Sequence, residues 1–171
     1  MDQIFIIPLQ RRIDMRLIVA MRIFLLSVII STTIIAETST TNDNPKIASA
    51  KDVFNQYVTL SNSFDASVID LYSDNAFIQN TRIYPDGRRR ALTMSAQKYK
   101  QLIRCSMPLA KQRGDTDTYR DVSYAVENGN VRIKAIRHNN MKDYDSPISI
   151  LVAESGVRKW LIVEEITESK P

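Results

Sequence analysis

A chain of 171 residues, 44% hydrophobic and 25% charged, has the composition of one globular domain, without the bias of a disordered tract or a repeat polymer. Its formal charge of +4 shrinks to +2 once residues 1–36 are set aside, since 19 basic residues then face 17 acidic ones, and that is no footprint for nucleic acid. One cysteine, Cys105, and one histidine, His138, exclude an intramolecular disulfide, zinc sites of Cys/His spacing and triads built on two imidazoles, so neither metal nor cofactor is implied.

From Met15 the sequence runs MRLIVAMRIFLLSVIISTTIIAETST: basic residues, an apolar run from Ile23 to Ala36, then an abruptly polar stretch. That is the layout of a secretory signal peptide over residues 1–36, with Ala36 as the small residue at the cleavage point and the product periplasmic or secreted. The run of 14 residues is shorter than the roughly 20 a spanning helix needs. If Arg22 snorkels, however, Leu17 to Met21 lengthen the segment, so an uncleaved inner-membrane anchor stays open as the alternative fate. Met15 and Met21 are alternative starts. Residues 37–44 are polar, lack periodicity and form a flexible linker.

Folding begins where Asn44 offers an N-cap and Pro45 a first helical position. Ala50, Val53, Phe54, Tyr57, Leu60 and Phe64 then recur at helical spacing, predicting a helix over 45–63. Asp65 caps a second, short helix, DASVIDLY. NAFIQNTRIY reads as a strand, YPDGR as a turn and RRRALTM as a second short strand. Ser95 caps a third helix with Tyr99, Leu102, Ile103 and Ser106 on one stripe, ended by Pro108 and Gly114; Cys105 is expected as a small buried residue. The last third is a meander of TDTYRDVSYAVE, VRIKAIRHNN, PISILVAES and RKWLIVEEI, with a turn at Asn128-Gly129-Asn130.

Three helices before a long sheet give an α+β class for residues 45–167. The expected architecture packs the three helices in the concave face of a curved antiparallel sheet. Val131, Ile133 and Ala135 alternate with Arg132 and Lys134, marking one covered and one wetter face. In the last strand Trp160, Ile162 and Ile166 alternate with Leu161, Val163 and Glu165, and in the strand before it both faces are largely apolar. A partly apolar second face is a candidate homodimer surface.

The stretch FNQYVTLSNSFDASVIDLYSDNAFIQN, with its Tyr-bearing helix, its break at Asp65 and its Leu71-Tyr72-Ser73-Asp74-Asn75-Ala76 step into a strand, resembles the opening of nuclear transport factor 2-like domains. That superfamily includes SnoaL-like polyketide cyclases and ketosteroid isomerase, and the resemblance extends over residues 45–167. It implies a cone-shaped, cystatin-like fold and leaves function open, because the fold hosts enzymes, binding modules and assembly domains.

Compared with the isomerase, Tyr57 falls at the tyrosine that hydrogen-bonds the developing oxyanion, Asn80 at the general base and Ser149 at the neutral acid. An amide cannot take a proton from carbon, so the resemblance argues against the isomerase chemistry. The leading expectation is a non-catalytic exported module that takes a small apolar ligand in the cone or a protein through the sheet. Pocket candidates are Tyr57, Tyr72, Asn80, Tyr99, His138, Ser149 and Trp160. The alternatives are a SnoaL-like isomerase, cyclase or dehydratase, drawing on Tyr57 with His138 or Asp121, and a secretion-system assembly domain behind a membrane anchor. Asp143 and Asp145 near Asn140 lack the glycine-centred pattern of a calcium loop.

Overall fold

The computed structural model describes residues 44–156 and 159–170. The signal-peptide reading of 1–36 and nearly all of the linker lie outside them.

Helix α1 spans Pro45–Asn62, with the Asn44 side chain accepting from the Lys46 amide at 3.0 Å as the N-cap. A 3-10 helix, Ala66–Leu71, follows, capped by Asp65 through the Ser67 amide at 2.8 Å. Strand β1, Tyr72–Ile83, turns at Pro85–Gly87 into β2, Arg89–Ser95. Helix α2 covers Ala96–Arg113, and β3 (Asp117–Glu127), β4 (Asn130–Asn139), β5 (Tyr144–Ser155) and β6 (Lys159–Ser169) complete the chain. Among the described residues no helix is long and apolar enough to cross a membrane.

Helix α2 does not stop at Pro108. It continues to Arg113 and ends at Gly114, whose φ of +65° is the left-handed C-cap that glycine adopts without strain. Proline removes one amide donor, and the carbonyl four residues back belongs to the exposed Arg104, where water can replace the lost bond. The buried stripe of α2 also differs from expectation: Leu102 is 51% exposed and Cys105 points outward, while Tyr99, Ile103 and Met107 pack toward the core.

Six strands form one sheet in the order β2-β1-β6-β5-β4-β3. Pairings are antiparallel except that β1 runs parallel to β6, so the sheet is mixed rather than wholly antiparallel. The apolar residues of α1 (Ile47, Ala50, Val53, Phe54) share one buried cluster with Val131, Ile133, Ile150, Val152 and Ile162. This is α+β architecture, helices against one face of a curved sheet.

Three register shifts interrupt the alternation of the sheet, one of them between Tyr72 and Phe77 of β1 and the others in β6 and β3. In β6 the register steps from Val152↔Ile162 to Leu151↔Glu164, so Val163 is an extra residue and the alternation shifts by one. Glu165 therefore joins Trp160 and Ile162 on the inner face and is only 3% exposed, whereas Ile166 turns outward, the reverse of simple alternation. In β3, Asp121 and Val122 form a bulge opposite Ala135, with Asp121 at φ +54°.

Candidate functional site

The second half of α1, the 3-10 helix, α2 and the inner face of the sheet enclose a cavity of about 280 Å³. Tyr57 on α1, Tyr72 at the start of β1 and Tyr99 on α2 line its buried end. All three come from elements whose amphipathic pattern directs them inward, and the Tyr72 and Tyr99 rings meet edge to face with centroids 5.3 Å apart.

Behind those rings lies Glu165. The Tyr72 hydroxyl donates to Glu165 Oε2, and the Tyr99 hydroxyl donates to Oε1 at 3.1 Å. Burial pushes the Glu165 carboxyl above its ordinary pKa, although both hydroxyl bonds and the Arg137 charge pull the other way. Burial likewise lifts all three phenols well above the usual tyrosine value, with Glu165 adding to it, so they stay protonated. With their protons turned toward Glu165, Tyr72 and Tyr99 retain only oxygen lone pairs for anything else.

The more open end is polar. Asn62 clamps the end of α1 to β3, donating to the Asp117 carbonyl at 2.8 Å and accepting from the Asp117 amide at 3.0 Å. Asn139 Nδ2 donates to Asp115 Oδ1 at 2.7 Å and to Asp117 Oδ1 at 3.0 Å. Arg137 follows Val131, Ile133 and Ala135 on the inner face of β4 and is held by Ser146 Oγ and by the Glu168 carbonyl, the latter at 2.9 Å. Burial raises the Asp117 pKa, partly offset by Arg137. Phe64, Val68, Ile103 and Met107 supply the apolar part of the wall.

Of the seven expected pocket residues, the structure brings Tyr57, Tyr72 and Tyr99 together at the cavity. The other four lie elsewhere. Asn80 sits farther along β1, where its Nδ2 donates to Thr167 Oγ1 at 2.9 Å and its Oδ1 accepts from Ser169 at 2.8 Å, so it satisfies a strand end instead of facing the cavity. Ser149 is on the outer face, accepting from Arg132 at 3.3 Å, because its neighbours Ile148 and Ile150 take the inward positions of β5. His138 also points outward, its Nδ1 3.0 Å from Asp145 Oδ1. Trp160 packs at the edge of the apolar core away from the cavity. Asp121 belongs to the exposed bulge and pairs with Arg120 at 2.6 Å.

Sequence reasoning did not single out Glu165, Arg137, Asp117 or Asn139. For Arg137 a signal existed, since it continues the inward series of Val131, Ile133 and Ala135. On the outer face a depression lined by Ile136, Pro147 and Ile166, with Lys134 and Asp121 beside them, marks the apolar patch expected there.

The chain resembles a protein of unknown function from Pseudomonas putida, described as nuclear transport factor 2-like, at a TM-score of 0.55 and 8% identity over 72% of this chain and 87% of that one. A nuclear transport factor 2-like protein from Cytophaga hutchinsonii matches at 0.51 and 10% identity, over 72% and 98%. A ketosteroid isomerase candidate from Shewanella frigidimarina matches at 0.51 and 16%, over 70% and 94%. The fold is nuclear transport factor 2-like. No family model matches the sequence, and no curated protein does. At such identities the likeness within the nuclear transport factor 2-like group concerns the fold alone.

Proposed function

We propose that this nuclear transport factor 2-like domain is a small-ligand-binding module, with its site in the cavity between α1, α2 and the inner face of the sheet. The observation that carries the reading is the gathering of Tyr57, Tyr72, Tyr99 and Arg137 around about 280 Å³ of space, a polar constellation in an otherwise apolar interior. Ligand pockets commonly measure about 300–1,000 Å³, so the ligand is small, and the polar wall makes it amphipathic rather than wholly apolar as the sequence suggested. Native mass spectrometry of the full chain purified from its own host tests this. A retained small molecule is expected, absent from Ser106→Phe, in which a bulkier side chain on α2 fills the cavity; identical spectra for both proteins, or no bound mass in either, would overturn it.

Asp117 gives a catalytic reading one specific observation, a cavity-lining carboxyl with a burial-raised pKa that suits a general base. Asn80 takes no part in that arrangement. Chemical change of the retained molecule on incubation, lost in Asp117→Asn, separates an enzyme from a binding module.

The signal-peptide pattern of residues 15–36 supports an exported setting. N-terminal sequencing of protein from the periplasmic fraction distinguishes cleavage near Ala36 from retention as an anchor.

A further inference from the structure

We propose that the ligand carries a carboxylate or similar anionic group, which docks on the Nη1 edge of Arg137 while its apolar body lies against Val68, Ile103 and Met107. The proposal rests on the cavity being a ligand site and adds the class of ligand.

Arg137 is fixed before anything binds. Its Nε and Nη2 both reach Ser146 Oγ, at 3.4 and 3.3 Å, and Nη2 also donates to the Glu168 carbonyl at 2.9 Å. Those contacts use the Nε–Nη2 side of the guanidinium and leave the two Nη1 hydrogens without a hydrogen-bond partner among the described residues. The side chain lines the cavity and is 17% exposed, so its spare donors are available to an occupant in place of water.

The countercharge does not saturate it. Asp117 Oδ2 lies 4.0 Å from Nε, outside hydrogen-bonding distance, while Asp117 Oδ1 is occupied by Asn139. Lys142 adds a second cation to the lining and Asp115 a second carboxylate, whose Oδ1, like that of Asp117, accepts from Asn139. Tyr72 and Tyr99, whose hydroxyls are committed to Glu165, offer only lone pairs, and so turn an anion toward Arg137. A pre-oriented guanidinium with unspent donors beside apolar wall is the arrangement that charge-assisted recognition of a carboxylate uses.

The test uses the full chain with benzoate and, as its uncharged counterpart, benzyl alcohol, following cavity amides by NMR titration. Benzoate is expected to bind roughly tenfold more tightly, the factor one charge-assisted hydrogen bond supplies. Arg137→Gln is expected to erase that preference, weakening benzoate roughly tenfold more than it weakens benzyl alcohol. Equal affinities in the unaltered protein would overturn the anion assignment while keeping the cavity as a site. Binding of neither probe would overturn both readings. Because the two probes are compared in the unaltered protein, the result stands even if Arg137→Gln fails to fold.

Discussion

The two halves of α1 face opposite situations. Ile47, Ala50 and Val53 belong to a filled apolar cluster with Val131, Ile133, Ile150, Val152 and Ile162, whereas one to three turns further on Tyr57, Ser61 and Asn62 border a cavity. The helix is the same and so is the inner sheet face. What changes is the partner: aliphatic strand residues interdigitate with the first half, while Glu165, Arg137 and Asp117 face the second and hold polar atoms apart by their hydrogen bonds. A close-packed end fixes the fold, and a polar end that cannot collapse keeps space open.

The largest test of that contrast removes volume from the filled end and adds it to the open one. Ile133, 1% exposed, should lose about 2–5 kcal/mol as Ile133→Ala, read by urea unfolding. Ser106→Phe, which adds atoms where there is room, should be neutral or stabilising by about 0.5 kcal/mol. Comparable losses from both would mean the two ends are packed alike.

Next in size is the carboxyl behind the tyrosines. Glu165→Ala leaves the Tyr72 and Tyr99 hydroxyls without their acceptor and is expected to cost about 1–3 kcal/mol in the same assay. A loss no larger than that of an exposed-surface substitution would show that the hydroxyls find other partners.

A smaller, pH-dependent effect follows from burial of the same group. The folded-state pKa of Glu165 lies above its unfolded value near 4.5, so its contribution to stability is fully present below that value and is lost as pH rises through the folded pKa. Glutamine does not titrate. The unfolding midpoint of Glu165→Gln relative to the unaltered protein should therefore climb as pH is raised from about 4 toward neutrality, whatever fixed offset the amide brings. A difference that stays flat or falls with pH would contradict the assignment of burial as the governing cause.

Much of the fold was legible because its signals are local. Asn44-Pro45, Asp65 and Ser95 cap the predicted helices, and Asn128-Gly129, both at positive φ, makes the predicted hairpin turn. The cavity was legible only in part. Tyr57, Tyr72 and Tyr99 sit on elements whose periodicity reveals their inward side, whereas Glu165 was hidden by the Val163 bulge, which no period-two pattern announces. Asn80 was placed in the cavity by resemblance, but β1 runs well past it and pairs Asn80 with Thr167 on the neighbouring strand.

Arg137 and His138 show how little separates site from surface. Adjacent on β4, they point to opposite faces: Arg137 is held inward by Ser146 and Glu168, and His138 stands outward between Asp145 Oδ1 at 3.0 Å and Asp143 Oδ1 at 3.7 Å. An imidazole drew attention as the sole histidine, yet it lies among exposed charges, where ion pairs are screened and contribute little. His138→Ala should consequently leave both the unfolding midpoint and the benzoate titration unchanged, the smallest effect in the series. A weakened titration would place His138 in communication with the cavity through β4. An unchanged one confines recognition to the inner face, where the strand's alternation has put the guanidinium and not the imidazole.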